Sequence, residues 1–455
     1  MGGLTPPRHA PLLERLGLHR RELRAWALYD WAISAFQTTI AVAIFPIYFL
    51  QVAGAEAQGT LAAQRYAVSN SLAIAIVAIL SPVLGTIADY AAVKKRMLGT
   101  FLGLGVAACA GMYFIRHGDL MLATVLFVLA SVAAAGSMVF YEALLPHIAA
   151  EKEIDRVSSA GYAVGYLGGG VLLALNLAWI MAPGTFGLPS GPDLTPDQQT
   201  LPVRLALVSV AVWWLLFALP LFRRVREPAR VLEADESRRD NPVRVAFTRL
   251  VETLRELRGY RQAFLMLLAF LIYNDGIATI QRMATAYGTE IGLPRDALIT
   301  AILLVQFIGV PCTLLFGLLA GRIGAKRAIF AGLAVYMAIS VLGFFMRTVA
   351  HFYLLAILVG LVQGGTQALS RSLFATMIPK QKSGEFFGFY SVFNKFAGIF
   401  GPLLFAGVIA RYQSSRPAIL SVSLMFVAGA ILLAFVNVEE GERAARAAEQ
   451  DAPHA

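Results

Sequence analysis

Apolar residues come in long runs along this chain, and charged residues, with two exceptions, are confined to the gaps between them. Twelve runs are long enough to cross about 30 Å of hydrocarbon at about 1.5 Å per helical residue. They fall at 31–55, 66–88, 97–115, 120–141, within 157–192, 205–222, 262–281, 297–321, 328–346, 352–370, 386–410 and 417–438. Six precede and six follow one polar belt, residues 223–261, which holds eleven arginines, no lysine and interspersed acids. The pattern predicts an all-α membrane protein of 12 transmembrane helices in two six-helix bundles. A tail over 1–25 leads into a first bundle over 26–222. The belt over 223–261 is a linker, a second bundle covers 262–438, and a tail covers 439–455.

Composition agrees with that reading. Of 455 residues, 58% are hydrophobic and 15% charged, and the mean hydropathy is +0.67, more apolar surface than a soluble domain of this size can bury. The formal charge of +10 belongs to loops, which excludes nucleic acid as the partner and makes membrane lipids the expected one. No secretory h-region precedes a cleavage site in residues 1–25, so the first run is read as an uncleaved span. Cys109 and Cys312 both lie inside apolar runs in different halves, where packing is the expectation. No phosphate-binding loop and no metal-ligand spacing appears, so no cofactor is expected and ATP is not the energy source. His117, His147 and His351 fall at loops or span ends.

Orientation follows from lysine and arginine. With both termini, the belt and every second loop on one side, that side carries 29 of them and the other eight. The bias puts the termini in the cytoplasm of a multi-pass cell-membrane protein. The halves also echo one another. Gly85 and Asp89, followed by Lys94, Lys95 and Arg96, lie between spans two and three. Gly317 and Arg322, followed by Lys326 and Arg327, lie between spans eight and nine, as in a duplicated six-helix unit.

Six plus six spans, a basic central loop and this Gly-xxx-Asp loop resemble the major facilitator superfamily. The resemblance implies that the loop contacts the facing bundle and latches one conformation, with Gly85, Asp89, Lys94, Lys95, Arg96 and Arg322 as gating residues. Ala92 replaces a usual glycine and Gly321 the second aspartate, so the latch is expected to be stronger in the first half. A narrower resemblance rests on Tyr29-Asp30-Trp31-Ala32, Gly165-Tyr166-Leu167-Gly168-Gly169, Tyr273-Asn274-Asp275-Gly276, Gln363-Gly364-Gly365-Thr366-Gln367 and Glu385-Phe386-Phe387-Gly388. Together these are similar to the vacuolar amino-acid effluxer family linked to autophagy and its bacterial relatives. Ile33 and Glu142 stand where that family usually has asparagines. The resemblance implies a monomeric secondary transporter exporting amino acids or similar zwitterions.

Candidate chemistry sits at few positions. Asp275 and Lys395 are the two charges inside the runs; on helices that neighbour in the facilitator arrangement, they could meet near the midplane, as a structural tie or as a working pair. Gln363, Gln367 and Arg371 repeat at i, i+4, i+8 down one face. The two glutamines are read as interhelical glue or substrate readers, and Arg371 as an interfacial or gating residue. Asp30 precedes the first charge-free run, where an acid favours the helix dipole. Its echo of Tyr273, Asn274 and Asp275 keeps a cavity role open. The small-residue stripe from Gly161 to Gly170 is read as close helix contact. The expected partner is a small-molecule substrate, with a coupling proton left open. An exporter of amphipathic compounds and a ligand-binding sensor are the alternatives.

Overall fold

The computed structural model describes residues 12–56, 61–228, 260–291, 293–397, 400–412 and 414–450. Among them every regular element is helical. Most of the predicted belt, 229–259, lies outside the described residues, as do the side chains of Asp89 and Lys395. The first half holds α1 (Arg21–Ala35), α2 (Leu61–Ala91), α3 (Lys94–Gly111), α4 (Leu120–Ile148), α5 (Ile154–Met181) and α6 (Pro196–Arg224). The second holds α7 (Arg261–Glu290), α8 (Arg295–Ile323), α9 (Ala325–Phe344) and α10 (Val349–Thr376). It continues with α11, in two parts (Ser383–Phe396 and Phe400–Tyr412), and α12 (Arg416–Phe435). Among the described residues nine helices are long and apolar enough to cross a membrane, ten with the bent first one. Helices α2 and α11 stand at the second and eleventh predicted runs.

Helix α1 corrects the first expectation. It starts at Arg21, ten residues before the charge-free run, so Asp30 lies inside the helix and is buried. A charge-free criterion clips any helix whose interior charge is paired. Past Ala35 the chain winds wider: the Ile44 amide donates to Thr39 O and the Gly54 amide to Phe49 O, each at 2.9 Å. These i→i−5 bonds flank Pro46, and the axis bends by 41°, as expected where wide turns and proline interrupt the regular ladder.

The glycines of α5 let α1 approach closely. A Cβ on Gly165 would stand 2.7 Å from Ser34 Oγ, and one on Gly168 2.5 Å from Trp31 O. The stripe therefore packs helix backbone on helix backbone, where small residues permit it.

The two halves meet at one end, the end that carries Arg21, Lys94, Lys152 and Lys380. There α2 and α4 lie on α11, and α5 lies on α8 and α10. The Ser158 hydroxyl donates to Ala368 O at 2.8 Å, the Ser383 hydroxyl donates to Ala143 O at 3.0 Å, and His147 Nε2 is 3.0 Å from Ser383 Oγ. Residues 439–455, expected as a tail, include most of a docked helix, α13 (Val438–Gln450). Its Gly441 and Ala445 are buried at i, i+4, while Arg446 pairs with Glu151 of the first half at 3.1 Å and Glu449 accepts from the Lys380 amide at 3.0 Å. The charges scattered along that segment hid a narrow apolar stripe. At the opposite end the halves diverge around a cavity.

Candidate functional site

Arg371 of α10 projects out of the second half into a socket made wholly by the first. Its Nη1 is 3.4 Å from Asp30 Oδ2. Its Nε donates to Ser158 Oγ at 2.9 Å, and its Nη2 donates to Ser158 O at 2.9 Å. The guanidinium centre lies 4.3 Å from the Tyr162 ring, 4.9 Å from the Trp26 ring and 5.9 Å from the Tyr141 ring. Tyr141 O–H donates to Asp30 Oδ2 at 2.7 Å, Trp26 Nε1 donates to Tyr141 O at 3.0 Å, and those two rings stack at 4.5 Å. A planar cation that stacks on aromatic faces and forks toward oxygen suits such a box better than an ammonium would. Arg371 is fully buried, which corrects its expected place at a membrane interface: α10 runs on to Thr376, and the partner that permits burial lies in the other half.

One turn along α10 from Arg371, a chain of carboxamides crosses the second half. Gln367 Nε2 donates to Asn274 Oδ1 at 3.4 Å, and Asn274 Nδ2 donates to Asn394 Oδ1 at 2.9 Å. Gln363, Gln367, Asn274 and Asn394 all line the cavity, which has a volume of about 750 Å³. Phe36, Gln37, Ala41 and Val42, from the wide turns after α1, line its other wall. The Arg371 socket lies toward the closed end from this cavity.

Two expected site residues face elsewhere. Tyr273 is fully buried and its hydroxyl is 2.5 Å from Ser370 Oγ, so it ties α7 to α10. Its polar tip marked it for the cavity, and a hydroxyl on the neighbouring helix satisfied it instead. Asp275 is also buried, and its Oδ2 accepts from the Gly401 amide at 3.0 Å. That carboxylate sits at the first turn of the second part of α11, where free amides and the helix dipole favour an anion. Replacing Asp275 by alanine should lower the melting temperature by about 1–2 °C, equivalent to roughly 1–2 kcal/mol in a chain of this size. Asp275→Asn should recover part of the loss, since an amide oxygen can still accept. Circular dichroism melts of the purified variants check this.

The expected latch residues separate as well. Gly85 of α2 lies against Gly384 of α11, so close that an added Cβ would be 2.1 Å from Gly384 O. Lys94 is buried, and Lys95 donates through Nζ to Phe222 O at 3.0 Å, while its amide donates to Glu227 Oε2 at 2.9 Å. Burial pushes the Glu227 carboxyl up, against the pull of the Lys95 amide and the Lys94 charge. Lys95 thus holds α3 to the end of α6 within one half, and only Arg96 and Arg322 of the basic set are exposed.

Sequence reasoning missed Trp26, Tyr141, Ser158 and Tyr162. Two signals pointed there: Trp26 and Asp30 are four apart on one helix face, and so are Ser158 and Tyr162.

Residues 65–446 match the family described as "Vacuole effluxer Atg22 like". A Bacillus subtilis protein named uncharacterized MFS-type transporter YxiO is 36% identical over 428 residues, 92% of this chain and 95% of that one. Autophagy-related protein 22 of Yarrowia lipolytica is 25% identical over 316 residues, covering 64% of this chain and 51% of the fungal protein. The match thus spans about half of that relative. Among solved structures, the E. coli fucose:proton symporter FucP superposes with a TM-score of 0.68 at 16% identity, covering 92% of this chain and 98% of that one. That likeness gives the major facilitator fold.

Proposed function

Because the chain belongs to the Atg22-like vacuole effluxer family and has the major facilitator fold, we propose that it moves a small solute across the cell membrane by alternating access. The observation that carries this reading is Arg371, a buried cation held across the boundary between two separable halves. The cavity is the solute site, and the Asp30–Arg371 socket beneath it is the gate. Lysine and arginine favour the closed end as the cytoplasmic one, so the state described here faces outward. Export is the direction that the family description supports, with amino acids as the cargo class the resemblance implies.

Opening the cytoplasmic end draws Arg371 out of its socket. Asp30 and Arg371 then lose each other inside a medium that solvates ions poorly. Something must compensate at that step: solute bound across both walls, or a proton on Asp30. This is how the geometry would couple occupancy of the cavity to movement of the gate. The carboxamide wall favours a polar cargo over the amphipathic alternative.

Labelling of two single cysteines in reconstituted protein, with Cys109 and Cys312 replaced, tests the proposal. One cysteine stands at Ser131 in the cavity wall and the other at Ser383 in the closed contact. Impermeant maleimide should reach position 131 from outside in the resting state and position 383 from the cytoplasm only after the exchange. Simultaneous labelling at both, or none at 383 under any condition, contradicts alternating access.

A further inference from the structure

We infer that α13 is a strap across the closed end of the molecule. It is rooted in the second half, reaches the first through an exposed ion pair, and biases the resting protein toward the outward-facing state. The inference rests on the transport reading and adds a control to it.

The root is firm. Lys326 Nζ of α9 donates to Ala434 O at 2.9 Å and to Val436 O at 2.7 Å, which satisfies carbonyls at the end of α12 and fixes the turn into α13. Gln262 of α7 holds the other side of that turn. Its Oε1 accepts from the Asn437 amide at 2.8 Å, and its Nε2 donates to Glu440 Oε2 at 2.8 Å. Gly441 lets the strap lie close to the end of α10, since a Cβ there would stand 2.8 Å from Met377 Sδ. Farther along, the Lys380 amide donates to Glu449 Oε1 at 3.0 Å. All of these partners belong to the second half.

The tip differs. Arg446 forks onto Glu151, in the loop between α4 and α5 of the first half. Its Nη2 is 3.1 Å from Oε2, and its Nε donates to Oε1 at 3.3 Å. Glu442, one turn earlier, steadies the guanidinium at 3.4 Å. Ala445, Arg446 and Glu449 border one small cleft with Pro146, Ala149 and Ile154 of the first half. Both side chains of the Arg446–Glu151 pair are about half exposed, 51% and 55%. Such a pair holds weakly, is screened by salt, and separates without stranding a buried charge. The buried Asp30–Arg371 pair cannot separate so freely. The strap therefore tilts the balance between closed and open ends a few-fold, and the buried pair remains the main tie.

Maleimide labelling of a cysteine at Ser383, in full-length protein lacking Cys109 and Cys312 and held in nanodiscs, reads the opening of this end. Arg446→Ala and Glu151→Gln should each label about two- to fivefold faster than the parent in about 20 mM KCl. Raising KCl to about 500 mM should bring the parent up to the rate of the variants and leave theirs unchanged. Combining Glu151→Arg with Arg446→Glu restores opposite charges and should bring the rate back toward the parent's. Both single changes fall on exposed side chains, and a melt of each protein identifies one that fails to fold. Labelling unchanged in the folded variants, an equal salt response in parent and variants, or exchanged charges that label as fast as Arg446→Ala overturns the strap. If position 383 labels in the parent and the variants only match it, the strap falls and transport stands. If position 383 labels in no protein under any condition, alternating access falls as well.

Discussion

Replacing Arg371 by leucine should abolish transport and sharply lower the yield of folded protein. The substitution leaves Asp30 buried with only the Tyr141 hydroxyl donating to it, and removing one partner of a buried ion pair typically costs about 3–5 kcal/mol. Asp30→Asn is the milder change. The amide keeps the side chain's shape and can still accept from Tyr141, while Arg371 keeps Ser158 and three aromatic faces. Combining Asp30→Asn with Arg371→Leu removes both charges, so the double variant should fold better than Arg371→Leu alone. It should still transport at less than a tenth of the wild-type rate, because the gate has lost its closed-state tie. Size-exclusion yield and solute counterflow, measured on the same preparations, read out both parts. A well-folded double variant with full transport would reduce the pair to a structural tie.

The second large effect is steric. Gly85→Leu puts a side chain where Gly384 O already lies, 2.1 Å from the new Cβ, and backbone cannot retreat as a flexible side chain can. The contact joins α2 of one half to α11 of the other, so the clash opposes closure rather than the folding of either half. The variant should be expressed and folded, yet open at the basic end. Cytoplasmic labelling of a cysteine at Ser383 should rise at least tenfold over the Gly85 parent, and external labelling at Ser131 should fall. Gly85→Ala should give the same direction with a smaller change. Unchanged labelling at both positions would mean that this contact does not hold the closed end.

Sequence carried the helices and their order, because a run of apolar residues has one stable solution in hydrocarbon. It also carried Gln363 and Gln367, whose spacing puts them on one face with the cavity in front of it. What it did not carry is the pairing across the halves. Asp30 and Arg371 are 341 positions apart, and each alone looked like an end-of-helix charge, since only the partner makes burial tolerable. Tyr273 and Asp275 show the other side of the same difficulty. Both are polar groups in apolar helices, which reads as function; Tyr273 meets Ser370, and Asp275 accepts from the Gly401 amide. The contact of Gly85 with Gly384 joins helices far apart in the chain, which no local pattern marks. Helix α13 was hidden by its charges, although Gly441 and Ala445 mark its buried stripe.

The central claim is that Asp30 and Arg371 hold the cytoplasmic end shut in the outward-facing state and release it during the cycle. Spin labels at the exposed Lys152 and Lys380, one in each half, measure that end directly by pulsed electron–electron distance spectroscopy in nanodiscs. Wild-type protein should give a dominant short distance, and Asp30→Asn should move a large share of the population to a distance longer by several ångströms. An identical distribution in the two proteins would contradict the account.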